Sequence, residues 1–149
     1  MRSVVQRVDR AVVSVGSRII SSIGKGVLVF LGVEKADSHN DADYLTEKIM
    51  NLRIFKDAEG KMNLSILDIS GEMLVVSQFT LLGDCRKGRR PSFISAEQPE
   101  EAKKLYEYFI NRAKEKINHV GAGEFQAMMN IESVNDGPVT MLLDSRKIF

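Results

Sequence analysis

"VLVFLGVE", residues 27–34, carries its single charge, Glu34, at the very end and its single glycine at position 32. The run is too short for a buried helix and lacks the apolar–polar alternation of a half-exposed strand. It predicts a strand buried on both faces. Upstream, "RSVVQRVDRAVVSV" at 2–15 shows β-branched residues in partial alternation and reads as a second strand, with Gly16, Gly24 and Gly26 marking turns or bulges between the two. Downstream, Ser38 is placed to cap a helix over 39–52, where Leu45, Ile49 and Leu52 recur at helical spacing. "DAEGKMN" at 57–63 reads as a turn, and "EMLVVSQFTLL" at 72–82 as a strand with polar residues in its middle.

The clearest helix opens at Pro99, a residue suited to a first turn. Ala102, Leu105, Tyr106, Phe109, Ile110, Ala113 and Ile117 form its apolar stripe. Glu100 and Lys104 stand one turn apart on the wet side, and Gly121 and Gly123 are expected to end it. "FQAMMNIESV" at 125–134 and "MLLDS" at 141–145 read as two strands flanking "NDGPVT" at 135–140, where proline lacks the N–H a ladder needs. The order of strands, helix, strands, helix, strands predicts one α/β domain over residues 1–149, with two helices covering a sheet-dominated core.

Composition narrows the classes. A chain of 149 residues, 44% hydrophobic and 28% charged, can bury a core and is not a disordered tail. No apolar run approaches bilayer length, and charges interrupt the first ten residues where a secretory signal would need an apolar stretch. The lone Cys85 cannot form an internal disulfide, which fits a reducing cytoplasm. With a net charge of +1, a nucleic-acid partner would have to be met by a local patch.

His39 and His119 are the only histidines and lack ligand-spaced companions, which speaks against a metal site. "GAGEFQ" at 121–126 starts like a dinucleotide-binding fingerprint, but Gln126 replaces its third glycine and the stretch follows a helix instead of opening one. Two stretches remain. "SQFT" brings Ser77, Gln78 and Thr80 to the end of an apolar strand, read either as hydroxyls satisfying a strand end or as a catalytic edge. A Thr80 nucleophile would need a base, and none is near in sequence. Arg86, Lys87, Arg89 and Arg90 surround Gly88 in a basic loop able to grip phosphates or simply to stay solvated.

Together these residues resemble the D-aminoacyl-tRNA deacylase family, nearly end to end. The resemblance runs through "QRV" at 6–8, "LRIF" at 52–55, "GKMNLSILD" at 60–68, "VSQFTL" at 76–81, "KGRRPSF" at 87–93 and "NDGPVT". It implies a three-layer β/β/α fold, a homodimer with active sites at the interface, no metal or organic cofactor, and hydrolysis of D-aminoacyl-tRNA and of mischarged glycyl-tRNA. "SQFT", Phe79 included, would line the pocket for the aminoacyl end, and Phe125, Ala127 and Met129 its wall. Gln126 departs from the family, which usually has glycine there. Gly137–Pro138, in cis, would reach into the partner's pocket and exclude L side chains with rigid backbone oxygens. Arg7 in "QRV" reads either as a hydrogen-bonding brace for this unit or as an edge-strand surface arginine. Arg86 to Arg90 would meet tRNA phosphates. The rival reading is a non-catalytic nucleic-acid-binding module of the same fold.

Overall fold

The computed structural model describes residues 1–148; Phe149 and the side chain of Pro138 lie outside the described residues, as does the expected cis geometry of the 137–138 bond. Eight strands and two helices follow the order β1 (Arg2–Val15), β2 (Arg18–Ile23), β3 (Gly26–Gly32), α1 (His39–Met50), β4 (Phe55–Lys56), β5 (Met62–Leu64), β6 (Glu72–Ser77), α2 (Pro99–Lys114), β7 (Val120–Ala122) and β8 (Met129–Asp144).

The run that opens the argument becomes β3, and it is covered on both sides. Val27, Val29 and Leu31 face a core shared with the helices, while Leu28 faces a second core with Phe30 packed against it. Its neighbour β6 divides in the same way, Met73 and Val75 to one core, Leu74 and Val76 to the other. The two strands pair in parallel, and a β-carbon at Gly26 would stand 1.8 Å from the Glu72 carbonyl oxygen, so only glycine fits there.

The sheet runs β2-β1-β3-β6-β7, with β8 on the other side of β1. β2 also packs across β6 and β7, which are not its neighbours in the ladder, so the sheet folds over on itself. The smaller core, of Val8, Ala11, Val13, Ile23, Leu28, Leu74 and Val76, fills that fold, and α1 and α2 cover the opposite face. This is a three-layer β/β/α architecture.

The bend in β1 has a local cause. Val8 pairs with Asn135 and Arg10 with Val134, leaving Asp9 as an extra residue. That bulge puts Val8 and Ala11, three apart in sequence, into one core. The helices form as their patterns dictate. The Asp41 carboxylate accepts from both the N–H and the hydroxyl of Ser38, at 2.8 and 2.9 Å, closing the start of α1. Leu45 and Ile49 of α1 and Phe109 of α2 are buried in the helix-side core, and each such side chain is worth about 1.5–3 kcal/mol.

Several expectations need correction. The strand expected over 72–82 stops at Ser77: the Gln78 N–H makes the last bond towards β3, to Leu31 O at 2.8 Å, and Phe79–Leu82 then coil into a 3₁₀ turn. Gly121 and Gly123 do not end α2, which stops at Lys114. Gly121 lies in β7, where a β-carbon would come within 2.2 Å of Ser21 Oγ, so the glycine serves close packing of β7 on β2. Lys104 pairs with Glu101 at 2.6 Å, not with Glu100. The segment between Gly16 and Gly24 is a full strand, β2. "NDGPVT" does not separate two strands, because β8 runs through it as one element.

Candidate functional site

Where "NDGPVT" passes through β8 the ladder is irregular. Gln6 pairs with Thr140 and Val8 with Asn135, so residues 136–139 all stand opposite Arg7 alone. The extra length bulges outward, fixed at one end by Val139, which enters the helix-side core. Arg7 fixes the other. Its side chain is buried, with the residue only 2% exposed. Nε reaches the Asp136 carboxylate at 2.9 Å and the Asp136 carbonyl at 3.1 Å, and a terminal nitrogen donates to the carbonyl of Ile54. Arg7 thus ties the residue just before Gly137 to the loop after α1. This planar fork of donors is work that a lysine could not repeat.

On its own chain, neither Arg7 nor Gly137 lines the cavity that Ser77, Gln78, Phe79, Phe125 and Met129 share. That cavity, of about 540 Å³, has Ser77, Gln78 and Phe79 on one side and Phe125, Ala127 and Met129 on the other. The Ser77 end exists because β6 stops there. The Phe125 end exists because residues 124–127 form a tight turn, with the Ala127 N–H donating to Glu124 O at 3.2 Å. Val76 and Ile131 give apolar walls.

α2 contributes Tyr106, which the sequence presents only as part of an apolar stripe. Its hydroxyl lies 2.9 Å from Val75 O and 3.2 Å from Gly123 O, and its ring tilts against Phe125 at 5.7 Å. Burial pushes its phenol far above the ordinary value, so at neutral pH it is a fixed donor and not a base. Glu97, which no pattern in the sequence marks, also lines the cavity, and its Oε1 accepts the Gln98 N–H at 2.7 Å.

Thr80, which directly follows Phe79, is not among the cavity-lining residues, and its hydroxyl accepts from the Gln78 carboxamide. The histidines are engaged elsewhere: His39 stacks on Tyr108 at 4.2 Å and His119 bonds the Ser22 carbonyl at 3.0 Å. Among the described residues no group of three or more His, Cys, Asp or Glu is placed to hold a metal ion.

The basic loop closes on itself through Asp84 and Ser92, whose backbones exchange bonds of 2.8 and 3.0 Å. Phe93 then packs edge-on against Phe79 at 5.1 Å, joining the loop to the cavity rim. The four expected cations are not equivalent. Arg86 forks onto Asp84 at 2.9 and 2.7 Å, and its hydrogen bonds hold that carboxyl well below the usual carboxylate range. Lys87, Arg89 and Arg90 are exposed and make no ion pair among the described residues.

A family profile described as D-Tyr-tRNA(Tyr) deacylase matches residues 4–144. The chain belongs to this family. It is 68% identical, over the full length of both chains, to the D-aminoacyl-tRNA deacylase of Syntrophus aciditrophicus (strain SB). The protein of that name from Thermosipho melanesiensis is 59% identical over the same full coverage. Among solved structures, the c-Myc DNA unwinding element binding protein superposes with a TM-score of 0.92 at 40% identity, covering 97% of this chain and 98% of that one. A probable eukaryotic D-amino acid tRNA deacylase shares the fold, with a TM-score of 0.81 at 17% identity. Among the described residues of this deacylase-family chain no helix is long and apolar enough to cross a membrane.

Proposed function

We propose that this chain is an editing hydrolase that cleaves the ester joining a D-amino acid to the 3′-terminal adenosine of tRNA, and that also releases glycine from mischarged tRNA. It would act in the cytoplasm, with no metal or organic cofactor. One observation carries the reading. The cavity framed by Ser77–Phe79 and Phe125–Met129 is formed within a single chain, whereas the Arg7-held Gly137 segment stands outside it.

That division fits a homodimer in which each Gly137–Pro138 enters the other subunit's cavity. In support, β8 has only β1 as a strand partner among the described residues, and it leaves Val134 and Leu142 exposed. A long open edge of this kind is suited to a second copy. Backbone oxygens set at the substrate α-carbon would exclude an L side chain without contacting a D one, and glycine would present nothing to exclude.

For the chemistry, the 2′-hydroxyl of the terminal adenosine assists attack by water. The N–H groups of Phe79 and Thr80, which begin the 3₁₀ turn and so lack acceptors within it, stabilise the developing oxyanion. The ester bond breaks to free amino acid and intact tRNA. Orientation carries much of the acceleration, since an aminoacyl ester is already reactive.

The basic loop binds tRNA phosphates through Lys87, Arg89 and Arg90. Replacing all three by glutamine should reduce the slope of log affinity against log salt by roughly 2–3. An unchanged slope would make the loop merely solvated.

A second reading has one observation behind it: the 40%-identical structure bears the name of a DNA-binding protein. Under that reading the chain binds nucleic acid without cleaving an ester. Incubation with D-tyrosyl-tRNA and L-tyrosyl-tRNA separates the two. Loss of the D ester with the L ester spared is expected, and retention of both alongside tRNA binding would favour the binder.

A further inference from the structure

Among the described residues, four other than glycine have positive φ: Ala36, Ser70, Gln126 and Lys147. Of these only Gln126, at φ 65°, lines the cavity. It is the third residue of the Glu124–Ala127 turn, the position where a positive φ favours glycine or asparagine. The turn does not depend on the glutamine side chain. Arg18 holds Glu124 at 2.7 Å and Phe125 packs on Tyr106, while Gln126 is exposed and its carboxamide makes none of the described side-chain hydrogen bonds. A non-glycine residue in left-handed backbone at the cavity, its carboxamide open to solvent, is placed to meet a ligand entering there.

The rim indicates which part of the ligand. Phe79 is 58% exposed and Met128 is 90% exposed, and both line the same cavity as Gln126, so large apolar faces are open to a ligand there. Flat apolar surface next to a paired donor and acceptor suits a nucleobase. The base stacks on the aromatic ring, and a glutamine amide offers its N–H to adenine N7 and its oxygen to the N6 amine. We infer that Gln126 reads the adenine edge of the terminal nucleotide. This rests on the functional reading above and adds to it a base-specificity residue.

The test is equilibrium binding of a CCA trinucleotide and of its 7-deaza-adenosine form, which lacks the N7 acceptor, and needs no turnover. The unaltered protein should prefer the adenosine form by about 3–10-fold, the size of one hydrogen bond. Gln126→Gly should remove that preference while leaving Tm unchanged or slightly raised, because glycine accepts the positive φ. Gln126→Glu, with the same backbone demand but no donor, should reverse it. A purely structural role would change Tm and leave the ratio alone. Equal affinity of the unaltered protein for both ligands, or a ratio unaffected by either substitution, overturns the assignment. Absence of ester hydrolysis would instead count against the deacylase reading, and the binding ratio would still decide on Gln126.

Discussion

Turnover on D-tyrosyl-tRNA ending in 2′-deoxyadenosine is expected to fall by about 10²–10⁴-fold, the range that a positioned proton-transfer group contributes. Thr80→Ala is expected to keep most of its activity. The contrast follows from what surrounds the threonine. Its hydroxyl accepts from the Gln78 carboxamide, which cannot take a proton, and both histidines are bonded or stacked elsewhere. A threonine nucleophile without a base is weak. The 2′-hydroxyl, by contrast, sits on the same ribose as the scissile ester and is delivered with the substrate. Single-turnover rates on the two tRNAs, beside those of Thr80→Ala, make the measurement. A stable acyl adduct on Thr80, or full activity on the deoxy substrate, would reverse the conclusion.

The parts of the fold that the sequence reveals are those where one physical signal dominates. β3 and α2 declare themselves because a continuous apolar run and a 3.6-residue stripe admit few readings. β2 stays hidden since "RIISSI" is short and half polar, with Arg18, Ser21 and Ser22, and its packing across β6 and β7 comes only with the folded sheet. The 3₁₀ turn after Ser77 is invisible because Phe79, Leu81 and Leu82 carry apolar content past the strand's end. β8 misleads for a different reason. Glycine and proline do interrupt its ladder, but the interruption is absorbed as a bulge opposite Arg7, and the strand resumes.

The site divides along the same line. Ser77–Phe79 and Phe125–Met129 lie some fifty residues apart, and no periodicity links them. Only family resemblance brings both segments into one reading before the cavity does so in space. Tyr106 is hidden inside an ordinary stripe, and the positive φ of Gln126 leaves no trace in composition. The inequality of the four loop cations depends on Asp84, whose pairing with Arg86 requires the loop geometry.

Arg7→Ala is expected to cost about 2–4 kcal/mol of folding stability, and to admit L-aminoacyl esters. A buried ion pair broken from one side costs up to about 3–5 kcal/mol. Here the Asp136 side chain keeps 33% exposure, so water recovers part of that. The Ile54 carbonyl also loses a donor. For a chain of this length the loss corresponds to a fall in Tm of roughly 5–15 °C. The functional effect is separate from the stability effect. Val139 would still anchor one end of the bulge, but Asp136 would no longer fix the other, so the Gly137 backbone could yield to a side chain it should exclude. Arg7→Lys provides the comparison, since it keeps the charge but cannot hold Asp136 and Ile54 in one planar grip. Rates on D- and L-tyrosyl-tRNA, taken well below the Tm of each variant, should show the L/D ratio rising for alanine and less for lysine. If the ratio stays level while Tm falls, Arg7 supports the strand and takes no part in selecting the enantiomer, and the exclusion must be enforced by residues on the cavity's own walls.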